Sequence, residues 1–252
     1  MCRKAPGVRI PPHPHHAELA FLARLGNDRM MRAFIAFTFL LTASWSFAQK
    51  ELSALGELGA AKQDFLNGKF DQALAALDRF DKASRATAES LDLRGCVHME
   101  QGKLDDATDA FNSAHLANFD AFAPRIHFAD VMLRQRKFAD GRREYEKLLD
   151  LIKTPMWPDY LRFGVLIAYL GENDERGAER ALHAIVFPTE TPAYYYAQAA
   201  WAFSHGRKSE GNKWLSTVRK IFDASKTGWF DRALYQFGWL RKKPAPSIDP
   251  FS

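Results

Sequence analysis

The chain has 252 residues, of which 47% are hydrophobic, with 35 Lys and Arg, 30 Asp and Glu, and two Cys. That composition suits a folded chain and excludes wholesale disorder, a collagen-like repeat, a disulfide framework and a multi-cysteine zinc module. The net charge of +5 belongs mostly to residues 1–48, with six basic and two acidic side chains; the remaining 29 basic and 28 acidic residues nearly cancel, so no nucleic-acid partner is expected.

The first feature along the chain is Met30-Met31-Arg32, followed by the uncharged run AFIAFTFLLTASWSFA over 33–48. A positive start, an apolar centre and small residues Ser46 and Ala48 predict a signal peptide over 30–48, cleaved after Ala48. The run is shorter than the ~20 residues that span a bilayer, which disfavours a retained membrane anchor. An exported protein is expected, periplasmic in a bacterial envelope or secreted. Residues 1–29 read as a mis-assigned or disordered extension upstream of a start at Met30 or Met31, and His13, His15 and His16 fall within it. Cleavage would leave Cys96 as the only thiol, either buried as a small hydrophobe or available for an intermolecular link.

Beyond Gln49 the chain repeats. Turn signals recur at Asn67-Gly68, Gln101-Gly102, Gln135-Arg136, Leu170-Gly171 and His205-Gly206. Small residues keep step before each turn (Ala61, Gly95, Ala129, Gly164, Ala199) and after it (Ala73, Ala107, Gly141, Gly177, Gly211). Apolar residues between the turns recur at helical spacing, as in Leu91, Gly95 and Met99 and then Leu104, Ala107, Phe111 and Ala114. Each unit therefore predicts a helix, a tight turn and a second helix, with small residues where the two cross. One such pair cannot bury its apolar face alone, so stacking has to supply the core. An extra residue or two around 172–176 makes the second helix of the fourth unit the least defined. Residues 226–241 predict a final capping helix, with Phe230, Ala233, Leu234 and Phe237 inward and Asp231, Arg232 and Gln236 on a polar outer face.

With this period and order of small and aromatic sites, the chain resembles the tetratricopeptide repeat family over roughly residues 54–240. The second unit carries the resemblance best, through Leu91, Gly95, Leu104, Ala107, Phe111 and Ala114. The resemblance implies an all-α fold: a right-handed superhelical solenoid of about five helix-turn-helix repeats with a C-terminal capping helix, over residues 49–243. Pro244 and Pro246 end any helix, so a flexible tail is expected at 244–252. The resemblance also implies that the first helices line a concave, partner-binding groove. By position that groove takes Lys62 and Phe65, then Asp92, Cys96 and Met99. Ile126, Asp130 and Arg134 follow, then Tyr169, Tyr196 and Phe203. Apolar members could equally be interhelical core, whereas Asp92, Asp130 and Arg134 are expected to be exposed, because unpaired burial is costly. The inner-face Lys, Asn and Arg that clamp a peptide carboxylate in one subset of the family are absent.

No nucleotide-binding or metalloprotease motif occurs, and the histidines do not pair with carboxylates at metal-binding spacing. No catalytic residue, metal site or cofactor is expected, and the chain reads as a non-catalytic scaffold for a protein or peptide partner. An alternative is a carbohydrate- or envelope-polymer-binding protein. It would use the C-terminal aromatics Trp157, Trp201, Trp214, Trp229, Trp239 and Tyr194–Tyr196, with a basic cap for an anionic envelope surface. Residues 207–243 hold ten basic and three acidic side chains.

Overall fold

The computed structural model describes residues 53, 55–80, 86–152 and 157–247. The extension at 1–29, the signal peptide at 30–48 and residues 248–252 lie outside the described residues. Residues 54–252 form one unit.

Eleven helices follow one another, with no strand among the described residues. The first five pairs are α1 (55–66) with α2 (Phe70–Asp78), α3 (Ala88–Glu100) with α4 (Leu104–Ala117), α5 (Phe122–Arg134) with α6 (Phe138–Leu151), α7 (Trp157–Glu172) with α8 (Glu175–His183), and α9 (Ala193–Ser204) with α10 (Lys208–Ile221). A last helix, α11 (Ala224–Gln236), stands alone. The chain is thus a superhelical solenoid of five helical hairpins and a terminal helix. No helix among the described residues is long and apolar enough to cross a membrane.

The five turns within the pairs share one hydrogen bond. Backbone N–H groups of Lys69, Lys103, Lys137, Asp174 and Arg207 each donate to the carbonyl five residues back, which ends the first helix in a Schellman motif. The residue before each donor is left-handed: Gly68 (φ 74°), Gly102 (78°), Arg136 (61°), Asn173 (58°) and Gly206 (73°). The fourth turn therefore pivots on Asn173, two residues beyond the Gly171 expected from the repeat. Gly171 is still helical, and a Cβ there would strike the ring of Phe138. The extra residues lengthen α7 and leave α8 short. Arg136 carries a side chain where this conformation is strained, so Arg136→Gly is expected to stabilise the chain by about 1 kcal/mol in denaturant titrations.

Small residues act where the periodicity places them. A Cβ on Gly164 would lie 2.6 Å from the Tyr145 ring, and one on Gly211 would lie 2.6 Å from that of Phe203. Gly95 and Gly177 meet Phe111 and Tyr169 in the same way. Each aromatic ring fills the space that its glycine leaves, and this brings neighbouring helices close. Two apolar cores result. One joins Phe65, Leu77, Leu93, Cys96 and Phe111, and the other runs from Ile126 to Leu234.

Candidate functional site

The inner face is built by α3, α5, α7 and α9, and the chain covers it with α11. Trp229 Nε1 donates to Asp130 Oδ2 on α5 at 2.9 Å, and the Trp229 ring lies against Tyr160 on α7 with centroids 3.6 Å apart. Phe230 packs on Phe163 and stacks on Tyr196 of α9. Arg232 reaches α3, where its Nη1 donates to Glu100 Oε1 at 2.7 Å. The Gln236 amide oxygen accepts from Arg134 Nε at 2.7 Å in its hydrogen-bonded orientation. Tyr196 Oη donates to Asp231 at 2.8 Å, and Arg219 holds the same carboxylate.

Three buried carboxylates organise this face. Asp130 accepts from the Tyr145 hydroxyl, the Tyr160 hydroxyl at 3.0 Å and the Trp229 indole. Burial, reinforced by the Asp130 charge, pushes both tyrosines well above the ordinary phenol range, so they remain donors. Glu100, whose side chain is 1% exposed, accepts from Arg232 and Arg134 and lies 3.4 Å from Lys243 Nζ. Burial raises its pKa, but the two guanidinium groups outweigh burial and hold it down to about 2. The tail continues over the same place, with Ser247 O accepting from Arg232.

Asp92 is the third. Its Oδ1 sits 2.8 Å from His127 Nδ1, and Cys96 Sγ lies 3.7 Å from the same nitrogen. Burial lowers the His127 pKa, yet Asp92 and then Cys96 reverse this and raise it well above the usual value. Among the described residues this trio is the one His/Cys/carboxylate group whose donor atoms converge closely enough for a metal ion. Its donors already satisfy one another as a buried ion pair with a thiol beside it, and burial raises the Cys96 pKa. Burial thus disfavours the thiolate that a reactive cysteine needs. Cys96 is expected to react with a thiol reagent at least ~100-fold more slowly in the native protein than in denaturant.

The expected groove residues divide accordingly. Phe65, Asp92, Cys96, Met99, Ile126, Asp130, Tyr196 and Phe203 are buried, Arg134 is half-buried under α11, and Lys62 is half-buried on α1. Asp92 and Asp130 were expected to be exposed; both are 8% exposed because each has hydrogen-bond partners. Arg232 was placed on a solvated face but is 5% exposed, with Glu100 compensating it. Tyr169 lies apart from the others. It packs on Gly177 of α8 beneath the Arg142 guanidinium of α6, since the inward register of α7 runs through Tyr160, Gly164 and Ile167. Among the aromatics weighed as a sugar platform, Trp229 and Tyr196 are core, while Tyr194, Tyr195, Trp201, Trp214 and Trp239 are partly buried against that core. Sequence reasoning missed Glu100 and Tyr160, and it took Tyr145 only as interhelical packing and Lys243 only as part of the basic cap. The available signal was weak: Glu100 closes α3 with Lys103 three residues on, so it reads as an ordinary surface charge.

No protein-family model matches the chain. No curated protein matches it either. Among solved structures it is similar to a tetratricopeptide repeat protein from Parabacteroides merdae, with a TM-score of 0.56, 14% identity and 75% of each chain covered. It is also similar to the C-terminal part of a TPR repeat-containing protein from Cytophaga hutchinsonii, with a TM-score of 0.49 and 13% identity over 72% of this chain and 71% of that one. The first likeness establishes a tetratricopeptide-type fold.

Proposed function

We propose that the chain is an exported, non-catalytic scaffold that docks a helical segment of a protein partner on its concave face, and that α11 occupies this face until a partner displaces it. The anchoring pattern of α11 carries the reading. Trp229, Arg232 and Gln236 recur at i, i+3 and i+7 and meet Asp130, Glu100 and Arg134 in turn. Helix-in-groove recognition works through anchors at this spacing. The groove proposed for the partner comprises the buried positions Asp92, Cys96, Met99, Ile126, Asp130, Tyr196 and Phe203 with the half-buried Arg134, extended along α1 by Lys62 and Phe65.

The test loosens α11 without emptying its site. Trp229→Phe combined with Lys243→Ala removes two polar anchors and keeps the apolar packing. This variant is expected to capture more partner from an envelope fraction than the wild-type protein does. Equal recovery of the same partners by both proteins would remove the concave face from the account.

A second reading is supported by a cleft of about 830 Å³ between the start of α11 and the tail, lined in part by Arg219, Arg241, Lys242 and Lys243. It would suit an anionic envelope polymer. Binding there should weaken steeply with salt, whereas displacement of α11 should not.

A further inference from the structure

The two edges of the solenoid differ. At the edge formed by the turns within pairs, the connections are short and polar. At the opposite edge, where each second helix hands over to the next pair, apolar side chains stand in water. Nine large hydrophobic residues are exposed among the described residues, and seven of them lie at these junctions. Leu116, Leu151, Val186 and Ile221 are 67%, 55%, 66% and 55% exposed. They are spaced 35 residues apart, one per repeat. Phe119 and Phe187 widen two of the rungs, at 64% and 62%. Singly exposed apolar residues are ordinary, but a row at the pitch of the fold is a patch.

Two properties of the row select its occupant. The junction segments 115–122, 148–153, 183–191 and 218–226 carry four acidic and four basic residues, so the edge does not repel a copy of itself. Its rungs also repeat at the pitch of the array. A second copy turned about a two-fold axis presents the same pitch in reverse, and every rung then meets a rung. Six large side chains exposed to this extent amount to roughly 600 Å² per copy, on the order of 1,200 Å² for a pair, which reaches the lower end of stable interfaces.

We infer that this edge is a homodimer interface in which two chains run antiparallel, with Leu116 opposite Ile221 and Leu151 opposite Val186 of the second copy. The interface is independent of whatever the concave face holds.

Sedimentation velocity on the purified protein from ~1 to ~100 µM is expected to show a dimer, in the affinity range such an interface supports. Val186→Glu and Ile221→Glu, both at exposed positions, should keep the helical circular dichroism and weaken dimerisation tenfold or more. Mixing Leu151→Cys protein with Val186→Cys protein should give a cross-linked pair, whereas Leu116→Cys with Val186→Cys should not. A chain that stays monomeric throughout, a dimer indifferent to both charge substitutions, or the opposite cross-linking pattern would overturn the inference. So would a monomer that floats with neutral phosphatidylcholine vesicles through Ile221, which would assign the edge to a lipid surface.

Discussion

Replacing Glu100 by Ala is expected to cost about 3–5 kcal/mol in denaturant unfolding, because it leaves Arg232 buried with its charge uncompensated. Arg134 and Lys243 lose the same partner. The pH dependence gives an independent measure of the same interaction. The Glu100 pKa falls from 4.5 to about 2 on folding, so the folded state holds fewer protons across that interval. Its stabilisation is complete above about pH 4.5 and is lost as pH drops toward 2. A shift of this size corresponds to about 3 kcal/mol, close to the substitution estimate. His127 has the opposite sign. Its pKa is raised on folding, so its contribution is full below its ordinary pKa and fades as pH climbs through the higher folded one. The wild-type stability profile should therefore lose ground at both ends, and Glu100→Ala should flatten only the acid side. An acid limb of unchanged steepness in Glu100→Ala would refute the assignment.

The second large effect falls on Trp229. Trp229→Ala removes a ring wedged between Tyr160, Phe163 and Phe230, and it also removes a donor to buried Asp130. Large-to-small changes of this kind cost about 3–5 kcal/mol. Trp229→Phe keeps most of the packing and should cost only the hydrogen bond and part of the contact, roughly 1–2 kcal/mol. The two sites anchor one helix, so their effects should not add. Once α11 has left the inner face, a second substitution under it has little more to remove, and the Glu100→Ala, Trp229→Ala double variant should fall well short of the sum. Additive costs would mean that α11 does not detach as a unit.

How much of this was legible in the sequence depends on distance along the chain. Hairpins, turns and small-residue crossings are local, and spacing reveals them: Gly95 and Phe111 belong to one repeat, and Gly164 meets a ring only one repeat away. The fourth turn was misplaced by two residues because Gly171 looks like a pivot, whereas its lack of a side chain serves the packing of Phe138. That shift also put Tyr169 on the wrong side of α7. The polar inner face escaped for another reason. Asp130 looked like a solvent-facing charge and Glu100 drew no notice, because the terminal-helix groups that meet them, Trp229 and Arg232, lie 99 and 132 residues away, and no periodicity links a repeat to a terminal helix.

The late position of α11 also governs how the chain is made. Asp130 and Glu100 leave the ribosome long before Trp229 and Arg232, and at ~5–20 residues per second the delay lasts on the order of 5–25 s. During that time the newborn array holds two carboxylates and a broad greasy trough facing water, the state in which a holding chaperone would find it most attractive. An open stack of hairpins matures link by link; this one stays unfinished until its final turn of helix arrives.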